Sequence, residues 1–128
     1  MKPVKELKSS FRPGDQIWLF RSSKLYVSSY AHVVIFIGDN EYMHVAARNM
    51  LTLKSKVKRA NFSEEDEECL CFIVRSDIDT EILVRRANLT EHISFHYHPK
   101  EANCESYANG VHGIWSPSIQ VELLNILR

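Results

Sequence analysis

The first half of the chain reads in strand period. Phe11 to Asp15 (FRPGD) is a turn signal, because Pro13-Gly14 favours a tight reversal, and the β-branched and aromatic residues that follow predict a strand over Gln16–Phe20. Ser22 to Tyr30 is serine-rich and reads as a loop, with Leu25 to Val27 as a short extension. His32 to Ile37 (HVVIFI) is dense in strand formers, Gly38-Asp39-Asn40 supplies turn chemistry, and Glu41 to Ala46 (EYMHVA) resumes the pattern. This is the clearest hairpin in the sequence. Leu51 to Val57 alternates and predicts an exposed or edge strand with Lys54, Lys56 and Lys58 on one face. Lysines so spaced ordinarily protect an edge; contact with a phosphate or lipid headgroup is the other reading. Phe62 to Glu68 (FSEEDEE) reads as a solvated acidic loop, and Cys69 to Arg75 (CLCFIVR) as a buried strand.

From Asp77 the period becomes helical. Asp77 or Asp79 is placed to cap a helix that keeps Ile78, Ile82 and Leu89 near one face and fades around Thr90 to His92. Ile93 to Tyr97 (ISFHY) alternates again as a short strand or extended arm, and Pro99 blocks further pairing. Cys104 to Val111 (CESYANGV) is a second helix, with Asn103 as its cap and Glu105 in its first turn; Cys104, Tyr107, Ala108 and Val111 fall on one face. Asn109-Gly110 weakens that helix and Gly113 can end it. After Trp115-Ser116-Pro117, Ser118 to Leu127 offers a last amphipathic helix through Ile119, Leu123 and Leu127.

Composition narrows the class. The chain has 128 residues, 45% of them apolar, and 16 basic against 16 acidic side chains, which describes a single globular domain over residues 1–128. At that length roughly two thirds of the unfolded surface is buried on folding, enough for a core without staples. Zero net charge argues against a strongly electrostatic nucleic-acid binder. Three cysteines, Cys69, Cys71 and Cys104, with no CxxC spacing do not make a secreted disulfide framework, so a cytoplasmic, reducing setting is expected, with a peripheral membrane association as its extension. Met1 to Ser10 has no apolar run of signal-peptide kind, and the longest apolar stretch, Cys69 to Val74, is far short of a membrane span. Cys69 and Cys71, two apart in one strand, would share a face as small core residues.

Function is therefore expected from a local site. A thiol in the first turn of a helix gains from the positive end of the dipole, which favours the nucleophilic thiolate. Catalysis also needs an imidazole to take the proton and return it to a leaving group. His32 and His44 flank the hairpin, and whether they share a face depends on its register. A three-residue loop pairs Val34 with His44 and sets both rings on one face; a two- or four-residue loop sets them on opposite faces. The residues alone leave the register open.

The segments PGDQIWLF, HVVIFIGDNEYMHVA and NCESYANGVHG, in that order, resemble the lecithin:retinol acyltransferase family and within it the H-box/NC phospholipase-acyltransferases. The match covers Phe11 to about Val121. It implies an α+β fold of the permuted papain-like kind, an antiparallel β-sheet packed against a nucleophile-bearing helix. Carried over by position, Cys104 is the nucleophile, His32 the general base and acid, and His44 the orienting third member. The resemblance implies a thiol-dependent phospholipid hydrolase or acyltransferase working through a Cys104 thioester, with no cofactor and no metal, and with a phospholipid or membrane surface as partner. The chain departs from its relatives at Val33, where an aromatic is common, and at Ser106-Tyr107, where His-Phe is usual. Many relatives carry a hydrophobic C-terminal anchor; without one, access to lipid rests on surface contacts such as Lys54, Lys56, Lys58 and Arg59. The resemblance also reaches H-box/NC proteins of some picornaviruses with no established enzymatic role, which implies a non-enzymatic alternative acting through protein or RNA contacts.

Other groupings are weaker. His92, His96 and His98 form a histidine-rich patch, and His96 and His98 would share a strand face, but no carboxylate or cysteine has a clear place as third metal ligand. Arg85-Arg86 and the basic cluster at 54–59 lack the interleaved aromatics of an RNA-binding surface, and the SEEDEE run offsets their charge. Trp18 and Trp115 are most simply core or interface aromatics.

Overall fold

The computed structural model of the protein describes residues 1–22, 29–46, 54–96 and 103–114. The chain opens with β1 (Lys2–Pro3), α1 (Val4–Leu7) and a 3-10 turn over Lys8–Ser10, then crosses the Pro13-Gly14 reversal into β2 (Gln16–Ser22). The hairpin follows as β3 (Ser29–Gly38) and β4 (Glu41–Val45), then β5 (Lys54–Asn61), α2 (Glu64–Glu68), β6 (Leu70–Val74), α3 (Thr80–Thr90), β7 (Ser94–His96) and α4 (Cys104–Val111). The fold is α+β: seven antiparallel strands lie in the order β1-β6-β2-β3-β4-β5-β7. No helix among the described residues is long and apolar enough to cross a membrane.

Strand alternation divides the core into two layers, one on each side of the sheet. Val33 and Ile35 of β3, Met43 and Val45 of β4 and Val57 of β5 face α3 and α4, where they meet Leu83, Ala87, Tyr107, Ala108 and Val111. Ile17, Leu19, Val34, Phe36, Tyr42 and Cys71 face the other way, under Val4, Phe11 and Phe62. The second layer is aromatic, with the Phe62 ring 4.8 Å from Tyr42 and 5.9 Å from Phe11.

The Pro13-Gly14-Asp15 turn ties the layers together. Gly14 has φ of 100°, and a Cβ there would stand 2.7 Å from Leu83 Cδ1, so only glycine lets α3 dock at this point. Asp15 is buried and accepts from the Arg12 backbone N–H at 2.8 Å and, in a two-pronged pair, from Arg75 Nε at 2.9 Å and Nη2 at 2.8 Å.

Several elements differ from the sequence expectation. The expected acidic loop contains α2, because Ser63 and Asp66 make a capping box: Ser63 Oγ accepts from Asp66 N at 3.0 Å while Asp66 Oδ2 accepts from Ser63 N at 3.1 Å. The acidic side chains that follow sit at the positive end of that helix, where they are favoured. Cys69 is the last cap of α2, its thiol donating to Glu65 O at 3.3 Å, so it does not share a strand face with Cys71. In β6 only Cys71 is buried, and Leu70 and Val74 are exposed, because this strand has only the two-residue β1 outside it. Helix α3 buries Leu83, Ala87 and Thr90, while Ile82 is 42% and Leu89 70% exposed; of the face expected from Ile78, Ile82 and Leu89 only Ile78, just before the helix, packs against the core. Strand β5 is not an edge, since β7 pairs outside Lys54 to Lys56. The loop expected over residues 22–30 and the strand over 51–57 fall partly, and the helix from Ser118 to Leu127 wholly, outside the described residues.

Candidate active site

The hairpin brings His32 and His44 together by a combination of turn and bulge. Ile35 pairs with Met43 and Phe36 with Tyr42, after which the register shifts so that Gly38 pairs with Glu41. The turn itself has two residues, Asp39 and Asn40, with φ of 50° and 66°, the left-handed pair that Asn and Asp tolerate best. Such a turn alone would set the rings on opposite faces. One extra residue on β3 before Gly38, whose φ is 101°, restores the register that a three-residue loop would have set. Continued two residues, the pairing lays Val34 across from His44, and the rings meet as diagonal neighbours.

His32 Nε2 and His44 Nδ1 are 3.0 Å apart, with the rings nearly perpendicular at 88°. A hydrogen bond of that length holds one proton between the two nitrogens, so one imidazole donates and fixes the tautomer of the other. Behind His44 stands Tyr42, its ring 5.1 Å away edge-on and its hydroxyl donating to Asp66 Oδ2 at 3.2 Å. Sequence reasoning did not single out Tyr42 or Asp66. Tyr42 is legible as the residue two before His44 on the same strand face; Asp66 is not, because an acidic run has no apolar period to mark its helix.

Cys104 is the first residue of α4. Asn103 Oδ1 accepts from Ser106 N at 2.8 Å and Ser106 Oγ accepts from Asn103 N at 2.6 Å, a reciprocal cap that fixes the helix start. Ser106 thus has a structural task. Tyr107 is buried and its hydroxyl sits 2.7 Å from Thr90 Oγ1; Thr90 donates to Ala87 O, so the tyrosine hydroxyl donates to Thr90. Burial raises the Tyr107 phenol well above its usual range. Gln16, also buried, donates to Asn109 Oδ1 at 3.0 Å and accepts from Trp18 Nε1, and His112 Nε2 donates to Gly14 O at 2.7 Å. Helix α4 is thereby tied to β2, to the Gly14 turn and to α3.

The half-buried thiol of Cys104 packs with the α3/α4 layer. The two imidazoles belong to the other side of the sheet: His32 pairs with Leu19, and His44 shares its strand face with Tyr42, both members of the α1/α2 layer. Among the described residues no hydrogen bond joins the Cys104 sulfur to either ring. The structure unites His32 with His44 and holds the helix of Cys104 across the sheet from them. Cys71 lies on the imidazole side, fully buried, and burial pushes its thiol up to about 11.

No group of three metal-ligating side chains occurs among the described residues. Of the histidine-rich patch, His92 and His96 are on the surface, and His98 lies outside the described residues, as does Trp115. The chain matches no protein-family model and no curated protein.

Proposed function

We propose that the protein is a thiol-dependent phospholipid hydrolase or acyltransferase of the H-box/NC kind on a permuted papain-like plan, with Cys104 as nucleophile, His32 as general base and acid, and His44 as the residue that orients His32. The observation that carries this reading is the 3.0 Å contact of His32 and His44, two imidazoles that a turn and a bulge set on one face and in one hydrogen bond. The reciprocal cap before Cys104 supports it, because a fixed helix start leaves backbone amides free to hold an oxyanion.

This mechanism requires the Cys104 sulfur to reach His32, which then takes its proton as the sulfur bonds to the carbonyl carbon of a lipid ester. The tetrahedral intermediate collapses with cleavage of the ester C–O bond, and His32 returns the proton to the departing lysolipid oxygen. Water, an amine or a hydroxyl then attacks the thioester, His32 accepts its proton, and the sulfur leaves as thiolate.

The position of the thiol across the sheet from the rings favours a second reading: a non-enzymatic H-box/NC protein that keeps the scaffold and acts through protein or RNA contacts. Incubation with vesicles of labelled phosphatidylcholine and phosphatidylserine separates the two. The catalytic reading predicts lysolipid, free fatty acid and an acyl adduct on Cys104, all lost in Cys104→Ala. Silence in all three supports the interaction protein.

A further inference from the structure

The imidazole face continues into a row of lysines. The β4–β5 register sets Lys58 across from His44, and the β5–β7 register sets Lys54 across from His96. Residues directly opposite share a face, so Lys54, Lys56 and Lys58 stand beside the histidine pair, about 7 Å apart along the strand. All three are exposed, and so is His96. Edge protection does not explain the row, because β7 pairs outside Lys54 to Lys56, and Val57 N donates to Ile93 O while its carbonyl accepts from His92 N. Arg59 is not part of it: it turns to the other side, where its guanidinium binds Glu91 at 3.1 Å and Asn88 at 2.8 Å. Lys56 and Lys58 have no ion-pair partner among the described residues. The acidic helix α2 covers the far end of this face, and its Glu67 and Glu68 are engaged by Lys8 and Lys5.

We propose that this lysine row docks the protein on a membrane surface bearing anionic headgroups, so that the headgroup layer lies against His32 and His44. Lysine, a compact and strongly hydrated cation, suits diffuse attraction to such a surface better than geometric phosphate recognition. Single-stranded RNA would need exposed aromatics between the cations, and the described aromatics nearest the row, Tyr42 and Phe62, are buried. The proposal names the partner of the site above and rests on that reading only for what happens to the lipid after docking.

The test is co-sedimentation of the full chain with vesicles of phosphatidylcholine alone and of phosphatidylcholine with phosphatidylserine. The wild type should pellet with the anionic vesicles only, and added salt should release it. Lys56→Gln with Lys58→Gln should weaken binding roughly thirtyfold, the equivalent of about 1 kcal/mol per lysine. Arg85→Gln, on α3 across the sheet, should bind as the wild type does, and an unchanged thermal midpoint of the lysine variant shows that it folds. Equal binding to both vesicle types, an unaffected lysine variant, or retention of RNA without vesicles overturns the proposal. A soluble short-chain phospholipid tests the thiol chemistry apart from docking. Binding without turnover keeps the docking face and removes the chemistry; turnover of the soluble ester with no preference for anionic vesicles removes the docking face.

Discussion

The environments of Cys71 and Cys104 assign the two thiols different behaviour. Cys71 has no access to solvent, and burial holds its thiol near 11, so it stays protonated at neutral pH and is a poor nucleophile. Because the folded state keeps that proton longer than the unfolded chain, its stability falls as pH rises from about 8.5 toward the folded value. Iodoacetamide in mildly alkaline buffer should therefore alkylate Cys104 first and Cys71 only after unfolding, read peptide by peptide in a mass spectrometer. Alkylation of Cys71 as fast as Cys104 in the folded protein contradicts this. Gly14 is the other residue with a single solution: a methyl at φ of 100° and 2.7 Å from Leu83 Cδ1 adds backbone strain to a clash. Gly14→Ala should cost about 2 kcal/mol or more in urea unfolding, and a change within about 0.5 kcal/mol would refute the tight docking of α3.

At the scale of elements, the hairpin and α4 were legible in the sequence because their local chemistry and their burial agree. Asp39-Asn40 is turn chemistry and sits in a turn; Asn103 reads as a cap and makes one. Asn103→Ala should lower stability by about 1 kcal/mol by denaturant unfolding, and an unchanged midpoint would mean that the cap is replaced by another group. The register of the hairpin was not legible, since a bulge of one residue reverses what the turn alone dictates. Helix α3 departs from the face its period predicts for a different reason. Its sequence carries two apolar stripes, and the buried one includes Thr90, whose hydroxyl is satisfied by Ala87 O and the Tyr107 hydroxyl and so tolerates burial. A hydroxyl partner seventeen residues away is invisible to periodicity. Helix α2 is not legible because an acidic run has no apolar period; the Ser63–Asp66 cap fixes its start, and Glu68 and Glu67 pair with Lys5 of α1 and Lys8 of the 3-10 turn.

For the whole molecule the question is whether the two sides of the sheet cooperate. The α3/α4 layer carries a capped helix that starts at a thiol, and the α1/α2 layer carries an imidazole pair continued by lysines. Catalysis as proposed requires communication between Cys104 and His32; an interaction protein needs none. If the two communicate, His32→Gln should slow alkylation of Cys104 and shift its pH profile, whereas an unchanged rate and profile would show that the thiol is independent of the rings. The most direct measurement is mass spectrometry of Cys104 after incubation with vesicles of labelled phosphatidylcholine and phosphatidylserine. A labelled acyl thioester is expected on Cys104 in the wild type, lost in His32→Gln and cleaved by hydroxylamine. Absence of any adduct from the folded wild-type protein, or an equal adduct in His32→Gln, would contradict it.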